Sequence, residues 1–327
     1  MSHIFLNAIV PILVIMLLGF AAGRRGAFTA ANAKVLNKLV LNYALPAALF
    51  ISIVKADRQM LSADLKLTII AIVVLVVCFL LVYAVYRYGF HDTGSESAIS
   101  ALISGSPTVG FLGFAVLQPI FGDHPSVGLV IAIVAIEVNA IGIPLGLALL
   151  NVGKAKENPA SHGASKPNIW RPVAEALLQP VAWAPILAVI IVLMGVKWPA
   201  YLDPSFTLIA GANASVAVFA AGVTLSSIKF TLNNQVLMGS VMKLIVMPLM
   251  VLIVGLIFHM TPDHLRMLVI CASLPPAFSG IIIASQNNTY VATGTSSLAL
   301  STLLFMGFCP LWIWITDRAI EWTHMLY

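Results

Sequence analysis

The strongest constraint on this chain is the recurrence, over its whole length, of apolar stretches of about 20 residues broken only by short polar segments. Each stretch can cross ~30 Å of hydrocarbon as a helix rising ~1.5 Å per residue. Of 327 residues, 60% are hydrophobic and 9% charged. A domain that keeps its surface in water carries roughly a quarter charged residues. No segment between the apolar stretches is long enough for a soluble domain. An all-α integral membrane protein is therefore predicted, because in lipid a helix satisfies its own backbone.

The formal charge of +5 gives no footprint for nucleic acid. Cys78, Cys271 and Cys309 lie in apolar runs without paired spacing and read as packing residues, neither disulfides nor metal ligands. The first span has no basic segment before it and Arg24-Arg25 after it. It reads as a retained helix, not a cleaved signal peptide.

Ten spans are expected, near 4–22, 32–54, 66–88, 98–118, 126–150, 172–195, 204–226, 235–258, 266–286 and 291–316. Between the fifth and sixth, KAKENPASHGASKPN has Pro, Gly, Ser and charge but no periodic apolar face. The expected organisation is a five-helix unit over 1–150, a cytoplasmic linker over 151–170 and a second five-helix unit over 171–327. With the N-terminus outside, the inner loops hold Arg24, Arg25, Lys34, Lys38, Arg87 and the linker lysines. The outer loops then hold fewer basic residues, so both termini are expected outside.

The two halves echo each other in order and offset. VPILVIMLLG from Val10 matches APILAVIIVLMG from Ala184, and LPAALFIS from Leu45 matches VFAAGVTLS from Val218. SGSPTVGFLG from Ser104 matches CASLPPAFSG from Cys271. An odd number of spans per unit turns the second copy over, which is the inverted-repeat plan of many secondary transporters.

The last pair carries the chemistry. Pro107 sits at the centre of one span and Pro275-Pro276 at the centre of another, and a proline interrupts a helix interior. Small residues surround both breaks: Ser104, Ser106, Thr108 and Gly110 in one, Ala277 and Ser279 in the other. Two interrupted helices can therefore cross closely. Half-helix N-termini present amides and a positive dipole end to an anion, and unwound carbonyls suit a cation. A pair of merely kinked packing helices is the plainer alternative. Only Glu137 and Lys243 place a charge well inside a span, where either alone costs at least ~2.5 kcal/mol. They read as a buried ion pair, or as a proton carrier (Glu137) and a counter-charge for an anionic substrate (Lys243), with Asn139 adjacent. Asn42, before Pro46, is a ligand only if it faces the crossing. No zinc-protease, phosphate-loop, nucleophile-elbow or Cys/His pattern occurs, so neither an enzyme nor a cofactor nor a metal site is expected.

On LNKLVLNYALPAALF, SPTVGFLGFAVLQPIFGD, IAGANASVAVFAAGVTLS and LPPAFSGIIIASQNN, with SSLALSTLLFMGFCPLWIW after it, the chain resembles the auxin efflux carrier family, in its bacterial malonate or malate carrier-like branch. The resemblance implies ten helices in the inner membrane, both termini outside, and the inverted-repeat fold of bile-acid/sodium symporters. It implies a scaffold of helices 1, 2, 6 and 7, often a dimer interface, and a mobile transport domain of helices 3–5 and 8–10 with helices 4 and 9 crossed. Pro107 and Pro275 or Pro276 would be the crossover prolines, and Asn42 would face the substrate. Many relatives carry an Asn in the fourth-helix break, where this chain has Pro107-Thr108-Val109-Gly110. Auxin-like specificity is therefore not expected, and the local hydroxyls are left as donors.

The expectation is a secondary carrier of a small mono- or dicarboxylate, malonate-like, working as an elevator and as a homodimer, with a proton or sodium as co-ion. Moving a dianion alone is worth roughly 4–5 kcal/mol per 100 mV, so uptake into a negative cell needs a co-ion. Two alternatives stay open: a sodium-coupled symporter of amphipathic, steroid-like anions, and an anion-sensing receptor or channel.

Overall fold

In a computed structural model the described residues, 10–54, 65–122, 124–157, 178–196, 198–227 and 230–326, form helices joined by short turns. These are α1 (Val10–Arg24), α2 (Ala30–Val54), α3 (Leu65–Gly89), α4 (Gly94–Ser104), α5 (Val109–Phe121), α6 (Ser126–Glu157), α7 (Pro180–Leu193), α8 (Asp203–Ser226), α9 (Asn234–Ile257), α10 (Pro262–Ser273), α11 (Phe278–Gln286) and α12 (Val291–Leu326). Six of them, α2, α3, α6, α8, α9 and α12, are long and apolar enough to cross a bilayer alone. The spans expected at 98–118 and 266–286 are each two half-helices, α4 with α5 and α10 with α11. Helices α1 and α7 are shorter and apolar. The residues before them, 1–9 and 158–177, lie outside the described residues, as does most of the expected linker.

Two boundaries differ from expectation. Helix α6 runs on to Glu157, so the first part of the expected linker is helical. Ala, Lys and Glu favour that continuation, and no proline stands between Pro144 and Pro159. Glu157 then closes onto the next helical layer, its carboxylate accepting from the amide (3.0 Å) and hydroxyl (2.7 Å) of Ser95. Helix α12 likewise extends past 316 to Leu326.

Three long helices each loosen into a π turn just before a proline: Val40–Ala44 before Pro46, Glu137–Gly142 before Pro144 and Met242–Val246 before Pro248. Proline has no N–H for the carbonyl one turn back, and widening the preceding turn removes the clash without ending the helix. In α9 the freed carbonyl is that of Leu244, and it accepts instead from the indole N–H of Trp312 on α12 at 2.7 Å.

The outer faces are those of a body in lipid. Helix α3 exposes Leu65, Ile69, Val73, Val77 and Leu80, and α9 exposes Leu237, Val241, Ile245, Leu249 and Ile253, both at helical spacing. Apolar stripes of this extent do not face water on a soluble monomer. Inside, α1 and α8 pack backbone to backbone. A Cβ on Gly222 would stand 2.1 Å from the Met16 carbonyl oxygen, and one on Gly19 would stand 2.2 Å from that of Phe219. Helix α7 packs on α2 beside them, while α6 is central and touches α4, α5, α7 and α10.

Candidate substrate-binding site

The breaks in α4/α5 and α10/α11 meet. Pro107 and Pro276 face each other as an isolated antiparallel bridge. The Thr108 amide donates to the Pro275 carbonyl at 2.9 Å, and the Ala277 amide donates to the Ser106 carbonyl at 3.0 Å. Two extended segments thus satisfy each other's backbone within the protein, the condition under which non-helical chain is tolerated at membrane depth. Glycine permits the approach: a Cβ on Gly280 would lie 2.6 Å from the Leu102 carbonyl oxygen.

Both second halves start at this bridge. In α5 the first backbone amide bonded back is that of Leu112, to Thr108. In α11 the first is that of Gly280, to Ala277. Neither Thr108 nor Ala277 caps its helix with a side chain. Two helix N-termini, each with its positive dipole end, therefore stand side by side.

They open on a cavity of about 310 Å³. One wall is Pro107, Thr108, Val109 and Gly110, and a second is Ala277, Phe278, Ser279, Ile282 and Ile283. Helix α6 supplies Val138, Asn139, Ile143 and Leu147, and Leu41 and Gln179 complete the lining. The cavity reaches toward the end of the bundle that holds the N-terminus of α7, where Gln179 is the residue before the first turn.

Of the residues expected here, Pro107, Thr108, Gly110, Ala277, Ser279 and Asn139 line this cavity. Ser106, Pro275 and Pro276 form the bridge behind it. Ser104 ends α4 and turns toward α9, its Oγ 2.7 Å from where a Cβ on Gly239 would stand. Asn42 is half-buried on the π turn of α2; its neighbour Leu41 lines the cavity, whereas Asn42 does not. One amide N–H of Asn139 is committed to the Ala135 carbonyl at 2.8 Å.

Behind the bridge lies a layer of unanswered polarity. The hydroxyls of Ser100, Ser106 and Thr108 and both carboxyl oxygens of Glu137 are buried without a hydrogen-bond partner. Glu137 Oε1 and Ser106 Oγ border the same point, 3.7 and 3.6 Å from where a Cβ on Gly142 would be. Glu137 and Lys243 are each 0% exposed. They lie within electrostatic reach of one another but not in direct contact, and the Lys243 ammonium has Met247 Sδ at 3.6 Å. Orphaned polar atoms in such a place cost free energy unless an occupant answers them. Sequence reasoning missed Asn213 on α8, buried with both amide atoms unpartnered. Its signal was the same as that of Asn42, a lone amide inside an apolar run.

Known proteins match along almost the whole chain. The profile of the family described as "Membrane transport protein" matches residues 4–313. A protein of Escherichia coli strain K12 named "Uncharacterized transporter YfdV" is 51% identical over 317 residues, covering 97% of this chain and 99% of that protein. A Shigella flexneri protein of the same name matches with the same identity of 51%. An "Uncharacterized transporter" of Methanothermobacter thermautotrophicus is 25% identical over 309 residues, 94% of this chain and 96% of that protein. This chain therefore belongs to the membrane transport protein (auxin efflux carrier) family, and it is a multi-pass membrane transporter, not an enzyme.

Proposed function

We propose that the chain is a secondary carrier of a small carboxylate, malonate-like in size and charge, and that the crossover cavity binds it. The observation that carries this reading is the pairing of two uncapped helix N-termini, α5 and α11, at one backbone bridge that opens on the cavity. The first-turn amides of a helix and its positive dipole end favour an anion, and here two such ends stand together. Thr108 and Ser279 both belong to the cavity lining. About 310 Å³ of space with an otherwise apolar lining suits a compact organic anion.

In this reading ten crossings form two inverted five-helix units, in the inner membrane with both termini outside. Helices α1, α2, α7 and α8 form a scaffold and dimer interface. Helices α3–α6 and α9–α12 form the body that slides against it as an elevator. The close α1–α8 packing and the α7–α2 contact support the first grouping. The crossover bridge and the Glu157–Ser95 tie support the second. Glu137, orphaned beside Ser106 and within reach of Lys243, is the group that takes up a coupling proton. When it is neutral, the polar layer behind the bridge carries the Lys243 charge alone, which favours an anion in the cavity.

The test is thermal unfolding of the purified protein with and without malonate, at two pH values and with and without sodium. Malonate is expected to raise the melting temperature. The shift should grow at the lower pH and be indifferent to sodium. Thr108→Val should lose at least half of the shift, and Glu137→Gln should keep it but lose its pH dependence. No shift with any small carboxylate would overturn the reading. A shift that requires sodium and an amphipathic anion would favour the sodium symporter instead.

A further inference from the structure

A second cavity, of about 340 Å³, lies away from the crossover, in the seam between α1, the end of α8 and α12. Its walls are two facing helical stripes, Leu13, Met16, Leu17 and Phe20 on α1 and Ala299, Leu303 and Met306 on α12. Leu225 and Phe230 close one side. Leu17 and Leu303 are 63% and 61% exposed, so the groove is open along its length to whatever surrounds the protein. In a membrane that is lipid.

The groove is not apolar throughout. Arg24, in the last turn of α1, stands at one end, with its guanidinium over the Phe20 ring at 5.4 Å from the centroid. That contact holds a weakly hydrated, planar cation at the mouth. Among the described residues no acidic side chain lines the groove, and Arg25 is exposed next to it. From Leu13 to Arg24 the helix rises ~16 Å, at about 1.5 Å per residue. Half of a ~30 Å hydrocarbon core has the same depth. The groove thus runs from the interface to mid-bilayer, apolar for one leaflet and cationic where a headgroup phosphate would sit.

We infer that this groove is a binding site for one anionic phospholipid. The acyl chain lies between the α1 and α12 stripes, and the phosphate is held by Arg24. A juxtamembrane basic residue of this kind contributes to binding an anionic lipid, and its fork matches phosphate oxygens. A free anion would not use the apolar stripes, and a zwitterionic lipid would not use the net charge. Because α12 belongs to one proposed body and α1 and α8 to the other, a lipid here would also wedge the seam between them. That consequence rests on the elevator reading; the binding does not.

The test is lipid retention on the full chain measured by native mass spectrometry, offering phosphatidylglycerol and phosphatidylcholine in equal amounts. Phosphatidylglycerol should be retained in preference. Arg24→Ala should weaken it roughly fivefold, the worth of one basic residue near a charged surface. Arg24→Lys should keep most of the preference, and Arg25→Ala should leave it nearly unchanged. Arg24 is exposed, so these variants should retain the fold, checked by their melting temperature. Leu303→Trp fills the groove from the other wall and should reduce retention of both lipids. Equal retention of the two lipids by the wild type, or no effect of Arg24→Ala, would overturn the inference. So would an equal stabilisation by inorganic phosphate that depends on Arg24, which would mark a site for free anions. Disulfide capture of a second copy through Leu303→Cys in membranes would show that another protomer covers the groove, and would also overturn it.

Discussion

Trp312 shows how a single side chain makes a proline tolerable in lipid. Pro248 withholds an N–H from the Leu244 carbonyl, the turn widens to Met242–Val246, and the indole of Trp312 answers the freed oxygen at 2.7 Å. Lys243 sits in that same loosened turn, fully buried. Trp312→Phe keeps the ring but removes the donor, and should cost about 1–3 kcal/mol, the usual penalty for a buried acceptor left bare. Pro248→Ala should reduce that penalty, because a restored amide can reach Leu244. Unfolding of the two single variants and the double variant forms the cycle that checks this, and strictly additive losses would contradict it. Residues of this kind were partly legible. Glu137 and Lys243 stood out in the sequence because charge is rare in apolar runs, whereas Trp312 did not, since its role depends on a carbonyl 68 residues away. Asn42 was legible as a costly amide, but the direction of a side chain on a π turn is not written in its spacing.

At the scale of elements, the interrupted helices were readable because proline acts locally: Pro107 and Pro275-Pro276 end α4 and α10 wherever they fold. The three π turns were not read, although Pro46, Pro144 and Pro248 precede no break. A proline in a membrane helix can end it, bend it or widen one turn, and neighbouring helices decide which. The α3–α4 turn offers a test of how such junctions are held. Asp92 is buried there; its carboxylate accepts from the Tyr290 hydroxyl at 2.7 Å, and its carbonyl accepts from Arg87 at 2.8 Å. Burial pushes the Asp92 carboxyl above its ordinary range; Glu96 adds to this, while hydrogen bonds from Tyr290 and Gln235 oppose it. A carboxyl raised on folding stabilises the protein fully below its unfolded pKa of ~3.9. That contribution is lost as pH rises through the raised folded value. Asp92→Asn keeps an acceptor for Tyr290 and should remove this part of the slope. The gap in melting temperature between variant and wild type should therefore widen in the variant's favour as pH rises from the acid side. Parallel profiles would contradict the assignment.

At the scale of the whole molecule, the proposed sliding motion needs two bodies, and two sets of contacts support that division. A tight pair, α1 on α8, has its backbones in contact at Gly19 and Gly222. Against it stands the set of helices tied together by the crossover bridge and by contacts such as Lys154 to Asn287 at 2.9 Å. The membrane class was legible from composition alone, since a chain with 9% charged residues has no other solvent available to it. The continuation of α6 through residue 157 was not, because Lys and Glu that look like a linker are also good helix formers.

The central claim is that the crossover cavity holds a carboxylate and exchanges it across the membrane. Counterflow measures this most directly: proteoliposomes loaded with unlabelled malonate are diluted into labelled malonate, with no imposed ion gradient. The account predicts transient accumulation of label by the wild type and its loss, at least tenfold, in Thr108→Val. Binding of malonate without any accumulation, or label that only equilibrates as through an open pore, would contradict it.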